Sequence, residues 1–250
     1  MFKFTFKIFL LILCMPYFAI AQQNATDSNN NKNSDEKVTY KLTPTYYSNS
    51  DKKDASDINL RANYGAHTSW VGFYKDQESF QQLRAGYEYT TSNDLGQWVP
   101  SIQVASQGFI GGSINNQYGD NVYSILGFGR TNMRPYYNLN FDPNDAYTFG
   151  IGTKLIPRTN LYFYSVHDNR FNTGQIISHL VWRYSVSPQE RYTLDYSYKR
   201  GSQEEGEIRV TGKSLTFGYD FSNYFIKLAR DQKVNFTQQD QTRFSLGFRF

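Results

Sequence analysis

Residues 241–250 read QTRFSLGFRF, and their alternation decides the fold class. Thr242, Phe244, Leu246, Phe248 and Phe250 fall on every second position, and Arg243, Ser245, Gly247 and Arg249 fall between them. Successive side chains of a β-strand point to opposite faces. The stretch is therefore a strand with one aromatic, apolar face and one polar face, and it ends on an aromatic residue.

The opposite end of the chain carries a second signal. Met1 to Ala21 contains Lys3 and Lys7, then an apolar run from Ile8 to Ile20, then Ala19-Ile20-Ala21 as a small-residue cleavage site. That order is the pattern of a secretory signal peptide at 1–21. A membrane-anchoring helix would need about 20 apolar residues, whereas this run is shorter and is interrupted by Pro16. Cys14 is the one cysteine of the chain and lies inside the signal. Leu13 stands before it, where a lipidated cysteine would follow a small residue. The mature chain is then expected to have neither a disulfide nor a thiol nucleophile. Residues 22–37, QQNATDSNNNKNSDEK, are polar and aperiodic and predict a disordered periplasmic leader.

A signal peptide at one end and an alternating aromatic strand ending in phenylalanine at the other resemble the bacterial outer-membrane β-barrel proteins. The resemblance implies a multi-pass barrel in the outer membrane, in contact with lipid and lipopolysaccharide. It also implies a last strand that is read by the barrel-insertion machinery and then pairs with the first.

Composition agrees. Mean hydropathy is −0.62 and no long apolar run follows the signal, so a helical membrane protein is excluded. A transmembrane barrel is not, because its strands carry apolar residues only at alternate positions. The chain holds 21 Tyr and 20 Phe, enough for aromatic girdles at both membrane interfaces. Net charge is +4, of which the signal supplies two, and this balance argues against a nucleic-acid partner.

Residues 38–250 read as an all-β, antiparallel up-and-down barrel of about 14 strands, an even number that returns both ends to one side. Most strands are plain in the pattern: Leu83, Ala85, Tyr87 and Tyr89 against Gln82, Arg84, Gly86 and Glu88, or Tyr192, Leu194, Tyr196 and Tyr198 against Thr193, Asp195 and Ser197. Ser48 to Asp57 predicts a polar loop, and so do Asp168 to Thr173, Arg200 to Glu207 and Lys233 to Asp240. Gly108 to Asp120 predicts the longest loop before the middle, and Pro135 to Phe141 a strand within a hairpin spanning Gly127 to Asp145. Ser69 to Lys75 is a strand whose pattern does not assign its faces. Pro44 and Pro100 predict local bulges or weak pairing. Ile208 and Val210 are out of phase with Leu215, Phe217 and Tyr219, which predicts a bulge or an extramembrane extension. If Gly108 to Asp145 formed a plug or a long loop, the barrel would have 12 strands.

The chemistry-bearing residues are few. His67, His167 and His179 have no paired spacing, so no metal site or cofactor is expected. Ser165 and His167 share one face of a strand, with Asp168 following. Residues two apart on a strand lie roughly 7 Å apart, too far for direct proton transfer. The inward positions are informative instead. Lys41, Arg61, Arg84, Glu88, Arg183, Asp195, Lys227 and Arg243 are expected to line a pore in which bases exceed acids. The expected function is a passive channel for small hydrophilic, anionic solutes, because basic walls of low dielectric favour anions. The alternatives are a lipid-modifying enzyme and a barrel with a filled lumen.

Overall fold

The computed structural model describes residues 37–78, 80–139 and 142–250. The signal peptide expected at 1–21 and all but the last residue of the leader lie outside the described residues. Among the described residues the chain forms fourteen antiparallel strands. They are β1 (Thr39–Asn49), β2 (Ala55–Tyr64), β3 (His67–Asp76), β4 (Gln81–Tyr89, continued as Thr91–Asn93) and β5 (Gly96–Ala105). There follow β6 (Phe109–Tyr118), β7 (Val122–Thr131), β8 (Ala146–Thr153), β9 (Thr159–Asp168) and β10 (Ile176–Ser187). The last four are β11 (Glu190–Gly201), β12 (Val210–Phe221), β13 (Tyr224–Asp231) and β14 (Gln241–Arg249). Each strand pairs with its sequence neighbours, and β14 returns to β1 with Phe248 opposite Leu42 and Phe244 opposite Tyr46. Closure leaves no unpaired sheet edge, which is the condition for a sheet to sit in hydrocarbon.

The outer face repeats the opening alternation around the circumference. Ile102, Ile114, Leu126, Phe149, Leu180, Phe217 and Leu228 are all exposed large hydrophobics. An apolar belt of this extent belongs in lipid. No described helix is long and apolar enough to cross a membrane, so the crossing belongs to the strands. At one end of the belt the rings form a chain. Tyr192 and Tyr219 stack at 4.8 Å, Tyr219 and Phe221 at 5.2 Å, Phe221 and Tyr224 at 5.7 Å, and Tyr224 meets Phe248 edge-on at 5.5 Å. This is an interface girdle in the sense that composition predicts. It lies at the short-turn end, where the connections are 65–66, 94–95, 119–121, 154–158, 188–189 and 222–223. The other end carries 50–54, 77–80, 106–108, 132–145, 169–175, 202–209 and 232–240.

The strand number agrees with expectation because two errors cancel. The long loop expected at Gly108 to Asp120 is instead β6, whose Ile110, Ile114 and Tyr118 face outward. Its pattern is diluted by Gly112 and Asn116 on the same face. Pro135 to Phe141 forms no strand over its described residues, so the hairpin expected from Gly127 to Asp145 does not exist. The polar loop expected from Ser48 to Asp57 is also shorter. β2 begins at Ala55, and Asp57 points inward in register with Asn59 and Arg61.

Neither proline makes a bulge. Pairing of β1 with β14 lapses at Thr43 and Pro44 and resumes in the same register. Pairing of β4 with β5 likewise lapses opposite Pro100, which splits β4 at Thr90. A residue without an N–H loses its ladder bond without shifting its neighbours. Nor does β12 bulge: its register with β11 is continuous from Phe221 to Val210, and Ile208 lies in the preceding loop. Finally, β3 acquires faces from its neighbours. Trp70 stands opposite Arg61 and Gly86, so Trp70, Gly72 and Tyr74 point inward.

Candidate functional site

Between β7 and β8, the described residues 132–139 and 142–145 do not stay at the rim. They enter the barrel and cross it. Prolines at 135 and 143 deny the segment ladder bonds, and its aromatic rings find their partners inside. Asp145 holds its base, accepting from Thr131 N at 3.1 Å, from Thr131 Oγ1 at 2.6 Å and from Arg170 at 2.7 Å. Tyr136 then stacks on Phe109 of β6 at 4.2 Å, and Tyr137 on Tyr74 of β3 at 4.4 Å. Gln82 of β4 clamps the backbone: its Nε2 donates to Pro135 O at 3.1 Å, and its Oε1 accepts from Tyr137 N at 3.1 Å. Leu139 is buried against Tyr47, Ala55 and Tyr74, and its carbonyl accepts from Arg243 Nη1 of β14 at 3.0 Å. Asp142 reaches His179 of β10.

The segment thus touches seven strands around the circumference, β1, β2, β3, β4, β6, β10 and β14, and divides the lumen. On its long-loop side lies a vestibule of about 440 Å³, bordered by Tyr136, Asn144 and Phe236. On its other side, against β9 to β14, lies a cavity of about 140 Å³ lined by Arg183, Asp195, Lys227 and Arg243. Asp142 borders both spaces.

All eight residues singled out from the sequence face the interior, and the structure pairs most of them. Arg61 bonds Glu88 at 3.2 Å. Arg84 bonds Asp57, both side chains being fully buried. Arg243 bonds Asp231 at 2.9 Å. Asp195 accepts from His179 Nδ1 at 2.9 Å. Arg183 lies over the Tyr162 ring at 5.3 Å, and Lys41 and Lys227 lie over Phe225. Sequence reasoning missed three acids: Asp57, Asp142 and Asp220. Parity alone could have found two of them, since Asp57 shares a face with Arg61 and Asp220 with Thr216 and Gly218. Nothing local marks Asp142, whose place depends on the path of the segment.

Charge is also unevenly distributed along the axis. In the strand halves nearer the short turns, Lys41, Arg61, Arg183, Arg191, Lys227 and Arg249 face, among the described residues, only Glu88, Asp195 and Asp220. Toward the long loops, Arg84, Lys199 and Arg243 are matched by Asp57, Asp231 and Asp142 of the segment.

One expectation about distance fails. Ser165 Oγ and His167 Nε2 are 2.9 Å apart on the outer face, because the two side chains lean together across the strand pleat. Ser178 Oγ also lies 2.9 Å from Ser165 Oγ. Asp168 does not complete a triad. It turns inward and binds its own loop, accepting from Thr173 Oγ1 at 2.5 Å and from Arg170 N at 3.0 Å.

No protein-family model and no curated protein sequence matches the chain. Solved structures do match. Outer membrane protein Omp33 of Acinetobacter baumannii superposes with a TM-score of 0.54 and 7% identity, covering 84% of this chain and 97% of that one. A mutant of Rh. blastica porin superposes with a TM-score of 0.50 and 8% identity, covering 86% and 99%. At such identities the likeness concerns the fold, which is the closed antiparallel β-barrel of bacterial outer-membrane porins.

Proposed function

We propose that the protein is a bacterial outer-membrane channel for passive passage of small hydrophilic solutes, with a preference for anions. The observation that carries the proposal is a polar, charged lumen inside a lipid-facing belt, narrowed by the inward segment but hollow on both sides of it. The basic excess in the short-turn half supports the anion preference, because a low-dielectric wall focuses the field of lining charges on a permeating ion. Its partners are then the solutes themselves, outer-membrane lipid and lipopolysaccharide, and the insertion machinery that reads the strand ending at Phe250. Residues 1–21 serve as the signal peptide and 22–37 as the leader.

Planar-bilayer recording tests this reading. Single-channel conductance is expected, with a reversal potential under a salt gradient that marks anion selectivity. Arg61→Glu and Arg183→Glu should weaken the selectivity. Absence of conductance ends the channel reading, and cation selectivity ends the anionic part.

A second reading, a lipid-modifying enzyme, has one observation in its favour: the Ser165–His167 hydrogen bond on the lipid-facing side. A histidine within bonding distance of a hydroxyl can act as its base. However, the following acid is engaged elsewhere, and among the described residues nothing orients the other imidazole nitrogen. Lipid profiles of expressing cells decide the matter. A change that His167→Ala abolishes would favour the enzyme.

A further inference from the structure

Phe225 points into the lumen from β13 and is 3% exposed. Its cross-strand partner on β14 is Gly247. A Cβ at that glycine would stand 1.7 Å from the Phe225 ring, so only glycine lets the ring lie flat against β14. Three cations from three strands gather on this ring. Arg249 Cζ is 5.1 Å, Lys41 Nζ 5.4 Å and Lys227 Nζ 5.9 Å from its centroid.

The register imposes the crowding. Lys41 stands directly opposite Arg249 on one side and directly opposite Arg61 on the other. Like charges directly opposite one another on neighbouring strands are destabilising. The facing carboxylates offset this only in part. Glu88 takes Arg61 at 3.2 Å, while Asp220 takes both Arg249 and, at 3.2 Å, Arg191. Among the described residues Lys41 makes no ion pair. Four bases, Lys41, Arg61, Arg191 and Arg249, thus share two carboxylates, Glu88 and Asp220. The quadrupole of one ring, worth about 0.5–2 kcal/mol per cation, does not neutralise them.

We propose that Lys41, Lys227 and Arg249, gathered over Phe225, form a binding site for a small divalent oxyanion of the phosphate class. The charge excess of two matches such an anion. The two ammonium groups act as mobile point charges, and the guanidinium offers a planar fork to two oxygens. The site lies in the short-turn half of the lumen, on the path of a solute that has passed the inward segment. The proposal deepens the channel reading and rests on it for its purpose. The binding itself is measurable without conduction.

Inorganic phosphate is titrated into the refolded full-length mature barrel in detergent, followed by calorimetry and by thermal unfolding. Saturable binding is expected, together with a rise in the unfolding midpoint as a ligand of the folded state requires. Lys41→Gln should weaken phosphate binding at least tenfold. It should also raise the midpoint measured without phosphate, since it removes the repulsion. Lys227→Gln is the second variant should the first not refold, and should also weaken binding at least tenfold. Absence of saturable binding to the wild type, or unchanged affinity in the folded lysine variants, overturns the site. Bilayer recording of the same preparations separates the two readings. Binding without conductance upholds the site and ends the channel; conductance without binding does the reverse.

Discussion

Asp142, on the inward segment, stands 3.3 Å from His179 Nε2 on β10, while His179 Nδ1 stands 2.9 Å from Asp195 on β11. One imidazole thus joins a carboxylate of the inward segment to one on a strand. Tyr164 stacks on it at 4.6 Å with the planes 2° apart, which sets the ring's orientation. This tether lies where the vestibule and the inner cavity meet. We expect Asp142→Asn and His179→Ala to loosen residues 132–145 at a cost of about 1–3 kcal/mol. Single-channel recordings should then show a larger and noisier conductance. An unchanged conductance in a folded variant would mean that the stacking of Tyr136 and Tyr137 alone holds the segment.

Arg84 and Asp57 form a pair with neither side chain exposed. Removing one partner of a buried pair leaves a charge without compensation, which costs about 3–5 kcal/mol. Asp57→Ala and Arg84→Ala should therefore each lower the urea midpoint markedly. The double change Asp57→Leu with Arg84→Met should recover most of the loss. The comparison is read from unfolding curves of the refolded variants.

Gly86 lies under the Trp70 indole, and a Cβ there would fall 2.2 Å from the ring. Gly86→Ala should force the indole out of its seat and destabilise the barrel by about 1–3 kcal/mol, as overpacking does. Trp70→Leu in the same chain should relieve the strain. The shift is measurable by tryptophan fluorescence and by heat-modifiable migration on a gel.

Phe250 closes the seam with β1. Its N–H donates to Tyr40 O at 3.0 Å, Tyr40 N donates to Phe250 O at 2.7 Å, and the two rings stack at 5.6 Å. Deleting Phe250 removes both hydrogen bonds and the ring contact. Impaired assembly and a lower membrane yield are expected. A charged residue at 250 keeps the backbone bonds and should show an intermediate defect.

The longer connections are expected to face the cell exterior and Phe250 the periplasm. Cysteines at Ser50 and Glu205, both in exposed loop positions, should be labelled on whole cells by an impermeant reagent. Ser202 is unsuitable, because it is buried and its hydroxyl donates to Thr173 O at 3.1 Å. Labelling only after the outer membrane is broken would reverse the topology.

Strand parity was legible in the sequence because it is local. Side chains alternate with period two, so Phe244 and Phe248 reveal an outer face wherever the strand sits, and Arg61, Arg84 and Lys227 are assigned inward by the same rule. The antiparallel barrel and the set of inward charges follow from that periodicity. What alternation does not contain is the partner. Phe109–Tyr118, with its glycines and asparagines, becomes a strand because β5 and β7 supply its ladders. Pro135 to Leu139, with a comparable pattern, does not, because its tyrosines are held by Tyr74, Gln82 and Phe109 from strands far away in sequence. Tertiary structure alone decided that this segment crosses the lumen and that Asp142 meets His179. It also decided that Lys41, Lys227 and Arg249 share one ring. Each of these depends on the register of a closed sheet, in which residues distant along the chain become neighbours only when the last strand meets the first.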